Sequence, residues 1–312
     1  MSNFLSPGQL MIGTSKAWFC GMDGTAYELT GQGGSWFPQY GKNFTYTGEY
    51  VIVPEGDSGD WKVKFLTSGT FTATDALLID VFAVGGGASG GGGSEMTNAA
   101  PGGGSGYTKT EKSIYLEQNK NYEIIIGTGG AAISGQSTQS NSGGTTSGFN
   151  VTVNGGTGPT TANTTNKRSA GSGGSGGGGA LAYGTTNSYN KYFTGGSDGS
   201  DGLGSTISGA NDIACVGGTG QGSTTREFGE ESGDLYAGGG GGGIHSYSTQ
   251  YNFSNKNLGG EGGGGKGQIH NAAVTNSAES GTTNTGGGGG GAVIGYSGAG
   301  GSGILIIRNH RE

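Results

Sequence analysis

The sequence predicts an all-β fold in which a β-sandwich or sheet anchors a large polyglycine-II helix bundle, with almost no α-helix. Three observations predict it. Glycine supplies 78 of 312 residues, and two uninterrupted runs of six stand at 238–243 and 286–291. Strand patterns flank the glycine-rich stretch on both sides, YVIVP, WKVKFL, GTFTA and LLIDVFAV before it and GILIIR after it. Helical periodicity and helix caps are nearly absent.

Glycine runs have no side chain to bury, so neither helical nor sheet patterning applies to them. Their backbone can take the extended left-handed helix of three residues per turn and ~3.1 Å rise, which makes no internal hydrogen bonds. Each N–H and C=O then needs a partner on a neighbouring segment. At a crowded axis only glycine fits, as collagen shows. A flexible linker is the competing reading of such composition. It does not explain nine Tyr and Phe residues from Tyr183 to Phe253.

Taken in order, residues 1–48 form an N-terminal segment rich in aromatic residues, with AWFCGMDGTAYEL and GGSWFPQYGKNF read as short strands between glycine turns. This segment is a possible attachment region. A glycine-rich domain follows over 49–312. Its strands are expected within 50–84, 113–126, 149–153 and 303–308, and they anchor a bundle over 85–302. LLIDVFAV (77–84) is nearly all apolar and suits a central strand. It enters the glycines at 85–87 without a turn, and GILIIR leaves a glycine run in the same way. Both are therefore expected in one sheet. Residues 107–127 read as a hairpin and FNVTV (149–153) as a further strand.

Only 12% of residues are charged and the net charge is −7, which argues against a nucleic-acid partner. No apolar window is long enough for a transmembrane helix, so no membrane insertion is expected. The N-terminus lacks the charged and apolar regions of a signal peptide. Cys20 and Cys215 are too few for a disulfide framework or metal motif.

No catalytic constellation is present, and no cofactor or metal is expected. Glycine spacings that mimic nucleotide-binding loops arise by chance in such a chain and lack the strand–turn–helix context. Glu227, Glu230, Glu231 and Asp234 cluster in REFGEESGDLY. They read as a solvated loop or calcium site ahead of a glycoside-cleaving carboxylate pair. Asp198 and Asp201 read as a turn ahead of a calcium site.

The loops ALAYGTTNSYNKYFTG (180–195) and IHSYSTQYNFSNKNL (244–258) use the Tyr, Ser, Asn and Gly palette of antibody paratopes. Candidate surface residues are Tyr183, Tyr189, Tyr192, Phe193, His245, Tyr247, Tyr251 and Phe253. The alternative is that these rings cap the bundle or pack on the sheet.

An ordered set of segments carries a family resemblance: IDVFAVGGGASGGGG, then GGGSGYTKT, YEIIIGTGG, TTREFGEESGDLYAGGGGGG, GGEGGGGKG, TNTGGGGGG and AGGSGILIIR. Over about 44–308 the chain resembles the glycine-rich domain of tail-fibre and tail-tip proteins from phages and prophages of gut Firmicutes. It is similar in principle to the tail-tip adhesins of T-even-type phages and to the glycine-rich domain of anaplastic lymphoma kinase receptors. The resemblance implies a polyglycine-II bundle, a loop-borne binding surface and no enzymatic activity. The implied location is the virion tail, extracellular after lysis. The implied partners are a bacterial cell-surface glycan or protein and, through the N-terminal segment, other tail-fibre subunits. The alternatives are a structural or ice-binding glycine-helix protein and a glycan-cleaving tail spike.

Overall fold

The computed structural model describes residues 10–12, 17–20, 26–29, 44–55, 60–94, 99–135, 140–162, 167–183, 191–192, 215–218, 225–246, 253–271 and 275–310. Among these, regular structure is almost all strand. The one exception is a single 3₁₀ turn at Glu227–Gly229.

Strands of the N-terminal half are β1 (Leu10–Ile12), β2 (Ala17–Cys20), β3 (Ala26–Leu29), β4 (Phe44–Tyr46), β5 (Tyr50–Glu55), β6 (Asp60–Phe65), β7 (Gly69–Ala73) and β8 (Leu77–Val84). Next come β9 (Gly93–Ser94), β10 (Thr108–Leu116), β11 (Asn121–Ile124), β12 (Thr146–Gly148), β13 (Val151–Val153), β14 (Thr160–Ala162) and β15 (Lys167–Ser169). The remainder are β16 (Leu181–Tyr183), β17 (Lys191–Tyr192), β18 (Ile244–Ser246), β19 (Ile269–Asn271), β20 (Ile294–Gly295) and β21 (Ile304–Asn309).

The largest sheet is antiparallel, in the order β10-β8-β21-β6-β5-β1-β2-β3. LLIDVFAV and GILIIR are direct neighbours in it, with Ile304 opposite Val84 and Ile306 opposite Phe82. The start and the end of the glycine region are thus fixed side by side. The first strands, β1 to β3, extend the same sheet from β5.

Alternation sends the two faces of β8 and β21 into different cores. Ile79, Val81, Ala83, Leu305 and Ile307 face a second sheet, β11-β7-β4, and the β12-β13 hairpin. An aromatic cluster fills this sandwich, with Phe71 stacked on Phe44 at 5.0 Å and edge-on to Phe65 and Phe149. Phe82, Val84, Ile304 and Ile306 face the other way, onto Phe228 and Tyr236. A strand buried on both faces explains why LLIDVFAV carries little alternation.

Two expectations need correction. Residues 107–127 do not form a hairpin: β10 pairs with β8 in one sheet and β11 with β7 in the other. The chain crosses between the layers there, with Asn119 at φ +58°. In FNVTV only Val151–Val153 is strand, because Phe149 and Asn150 (φ +53° and +63°) make the turn that returns β12 to β13. Positive φ at both central residues is the two-residue hairpin geometry that matches strand twist.

The glycine runs are neither strand nor helix, yet they are buried along 85–92, 238–243 and 286–291. Their backbone donors find partners with a period of three. Gly85, Ala88 and Gly91 donate to Tyr107, Gly104 and Pro101; Gly86 and Ser89 to Gly144 and Asn141; Gly87 and Gly90 to Gly301 and Gly298. In the next run, Gly238 and Gly241 donate to Gly262 and Gly265, Gly239 and Gly242 to Gly218 and Cys215, and Gly240 and Gly243 to Gly103 and Ala100. Residues 286–292 exchange backbone bonds with six segments, donating to 238–241, 88–91, 279 and 302 and accepting from 265–268, 100–106 and 298–301.

Such spacing leaves no room between backbones. A Cβ on Gly240 would stand 2.1 Å from the Gly289 carbonyl oxygen, and one on Gly287 would stand 2.0 Å from that of Gly263.

Candidate functional site

The runs separate two ends of unlike chemistry. At the sandwich end, segment 225–237 lies on the outer face of the large sheet, held by charge. The Glu227 carboxylate is 1% exposed and pairs with Lys62 at 2.5 Å and Lys64 at 3.0 Å. Lys64 also reaches Asp234 and the Tyr236 hydroxyl, each at 3.0 Å. Burial opposes the Lys64 charge, but Tyr236, Glu227 and Asp234 outweigh it and raise the ammonium above its ordinary value.

Beside this group, Arg308 bonds buried Asp80 at 3.1 Å and Glu230 at 2.5 Å, with its guanidinium 4.2 Å from the Phe228 ring centre. Burial opposes ionisation of Asp80. Bonds from His310, the Ser113 amide and Arg308 prevail and hold its carboxyl below the usual range. The acidic cluster therefore clamps a loop to the sheet: Glu227 is an interior ion-pair partner, not a solvated carboxylate. Asp198 and Asp201 lie outside the described residues. Among the described residues, no group of three or more His, Cys, Asp or Glu could hold a metal ion.

At the opposite end, three glycine runs pass into one small sheet, β17-β16-β18-β19. Both β16 and β19 are parallel to β18, which suits segments that arrive side by side from a bundle. Leu181, Cys215, Ile244, Phe253 and Ile269 pack beneath it, and Ala99, Ala180 and Val293 form a smaller cluster beside it. Gln268 ties these layers together. Its Oε1 accepts from the Val293 and Ile294 amides at 2.6 and 2.8 Å, and its Nε2 donates to the Asn276 carbonyl.

His245 and His270 are in register on neighbouring strands, their rings stacked at 5.6 Å. Burial, and then the facing His270, push the His245 imidazole down to about 4.

A second ribbon completes this end. Gly93 and Ser94 pair with Gly295 and Ile294, and Tyr296 bridges to Ser134. Residues 99–100, 131–135, 180–181, 243–246, 268–271 and 292–297 contain no Asp, Glu, Lys or Arg. The charged clamp and the small sheet, whose one charged strand residue is Lys191, thus occupy opposite ends.

The structure brings Tyr183, Tyr192 and His245 into the same small sheet. Tyr189, Phe193, Tyr247 and Tyr251 lie outside the described residues. His245 (2% exposed) and Phe253 (3%) are interior, so neither belongs to a solvent-facing set. They sit where a run becomes a strand or packs beneath one. Sequence reading passed over Tyr296, which is 71% exposed at this end. Its signal was faint: one ring closing a glycine run in GGGGGGAVIGYSG.

An all-β scaffold carrying buried glycine runs is the architecture of a glycine-rich domain. The model of a family described as a glycine-rich domain matches residues 66–310, and the chain belongs to that family. No curated protein matches the chain.

Proposed function

We propose that the glycine runs are polyglycine-II helices packed as a bundle, and that the bundle holds up a recognition surface. The period-three pairing carries the first part. A strand would alternate at two and an α-helix at 3.6, whereas three residues per turn send every third amide to the same neighbour. Contact of one run with six others supports close hexagonal packing.

Binding is the function that fits best. The observation that carries it is the placement of Tyr183, Tyr192 and Tyr296 at the end remote from the sandwich and its charged clamp. Loops over a rigid scaffold are where recognition residues concentrate. The sequence resemblance adds the setting: a tail-tip adhesin of a phage or prophage, contacting a bacterial cell-surface glycan or protein, with the sandwich end toward the rest of the tail.

Incubating purified full-length protein with cells of gut Firmicutes tests this reading. Saturable binding that blocks phage adsorption is expected. Replacing Tyr189 with Tyr192, or Tyr247 with Tyr251, by Ala as pairs should weaken that binding roughly tenfold without lowering the melting temperature. Lower stability with unchanged binding would make these rings caps of the bundle. Absence of binding to any host strain would refute the adhesin role.

A further inference from the structure

Among the described side chains, Tyr296 is the most exposed large apolar one at the tip, and its surroundings are unusual. Its backbone is fixed from two sides. Tyr296 bridges to Ser134, the Ser297 amide donates to the Ile133 carbonyl at 2.9 Å, and the Ile133 amide donates to the Ser297 hydroxyl at 3.1 Å. Two glycines in left-handed conformation flank this bridge, Gly135 at φ +71° and Gly295 at φ +84°.

At most glycines of the bundle an added Cβ would strike backbone at about 2–2.5 Å, but at these two positions no atom of the described residues lies within 4 Å. Gly135 and Gly295 are therefore open backbone next to an exposed ring, not crowded interior. Ile294 is 37% exposed beside them, and Ala131, Ala132 and Ser134 are also exposed. An exposed ring, glycine backbone without side chains and the exposed Ser134 thus lie next to one another, forming what is called here the shelf.

We propose that this shelf, residues 131–135 with 294–297, binds a neutral saccharide, with Tyr296 as the stacking ring. The proposal rests on the adhesin reading and names the chemistry of its ligand. A pyranose has a face of C–H groups that packs against an aromatic ring and an equatorial rim of hydroxyls that exchange hydrogen bonds with Ser and backbone groups. An acidic sugar or phosphate would call for Arg or Lys. None is present in either segment. An extended peptide would call for a free strand edge with side-chain pockets. Here the short strand is already paired and two of its neighbours are glycine. The Tyr ring also binds at low entropic cost, since it has only two side-chain torsions to fix.

The test uses the full-length protein on immobilised neutral and acidic bacterial oligosaccharides, alongside whole-cell binding. Tyr296→Ala, Tyr296→Phe and a control, Tyr115→Ala, are compared; Tyr115 is 64% exposed at the sandwich end. Expected is binding to one or more neutral oligosaccharides, weakened roughly tenfold by Tyr296→Ala and little changed by the other two variants. Melting temperatures should be equal across the set. Cell binding that Tyr296→Ala leaves intact and neutral saccharides do not compete overturns this proposal while the adhesin reading stands. A preference for acidic saccharides also overturns it. Failure to bind both cells and saccharides removes the two readings together.

Discussion

Replacing Gly240 by Ala asks whether crowding of backbone against backbone is what requires glycine. Alanine ordinarily stabilises by ~0.4–1 kcal/mol where its native conformation is accessible, because it stiffens the unfolded chain. Gly240 does not have the positive φ that an L side chain avoids. Its Cβ would nevertheless lie 2.1 Å from the Gly289 oxygen and 2.6 Å from the attached carbon. Relief means separating two runs held together by the bonds from Gly288 to Gly238 and from Gly291 to Gly241. Overpacking of a tight interior costs about 1–3 kcal/mol. Two weakened buried hydrogen bonds add about 1–3 kcal/mol more. A net loss of about 3 kcal/mol follows, which lowers the melting temperature by roughly 6 °C or more. Gly243, in the same run, supplies the control: its Cβ would meet the nearest atom at 3.0 Å. Gly243→Ala should lose well under half as much. Thermal unfolding of both variants by circular dichroism or calorimetry checks this. Equal effects, or an unchanged Gly240→Ala protein, would refute the argument from crowding.

At the clamp, Glu227→Ala removes the buried carboxylate that pairs with Lys62 and Lys64, at a cost of about 2–4 kcal/mol, less than for a fully buried pair because both lysines are partly exposed. Calorimetry should record that loss, and Glu227→Leu combined with Lys62→Met should recover part of it. Acid should weaken the tip. His245 falls from 6.5 to about 4 on folding, so its contribution is complete above pH 6.5 and is lost as pH drops toward 4. Urea midpoints at pH 7.5, 5.5 and 4 should decline by the equivalent of about 1–3 kcal/mol. His245→Asn should flatten that decline. Removing the open-shelf glycine with Gly295→Ala has a different cause of loss, a left-handed conformation without crowding, and should cost about 1–2 kcal/mol.

Side chains made part of this fold legible. LLIDVFAV and GILIIR announce themselves by apolar content, and their shared junction with glycine foretells that they are neighbours in one sheet. Layering was less readable. SIYLE and YEIII look like hairpin partners because only four residues separate Leu116 from Asn121, yet those residues carry the chain across the sandwich. The Phe149–Asn150 turn was hidden because Phe rarely takes positive φ, and the same holds for Phe228 at +56°. The partners of each glycine run could not be read at all, since glycine has no side chain to encode register. That information resides in the non-glycine residues at the run ends, such as Ala88, Ser89, Ala100 and Pro101. Of the candidate residues, His245 and Phe253 turn out to be interior, a depth that a Tyr/Ser/Asn-rich composition does not encode.

Amide hydrogen exchange in residues 238–243 and 286–291 tests the central claim most directly. If every third amide is bonded to the same neighbouring run inside a close-packed bundle, these glycines should exchange as slowly as β8 and β21, opening only with global unfolding. Exchange at the rate of unstructured chain would contradict the account, because a linker leaves these amides in water.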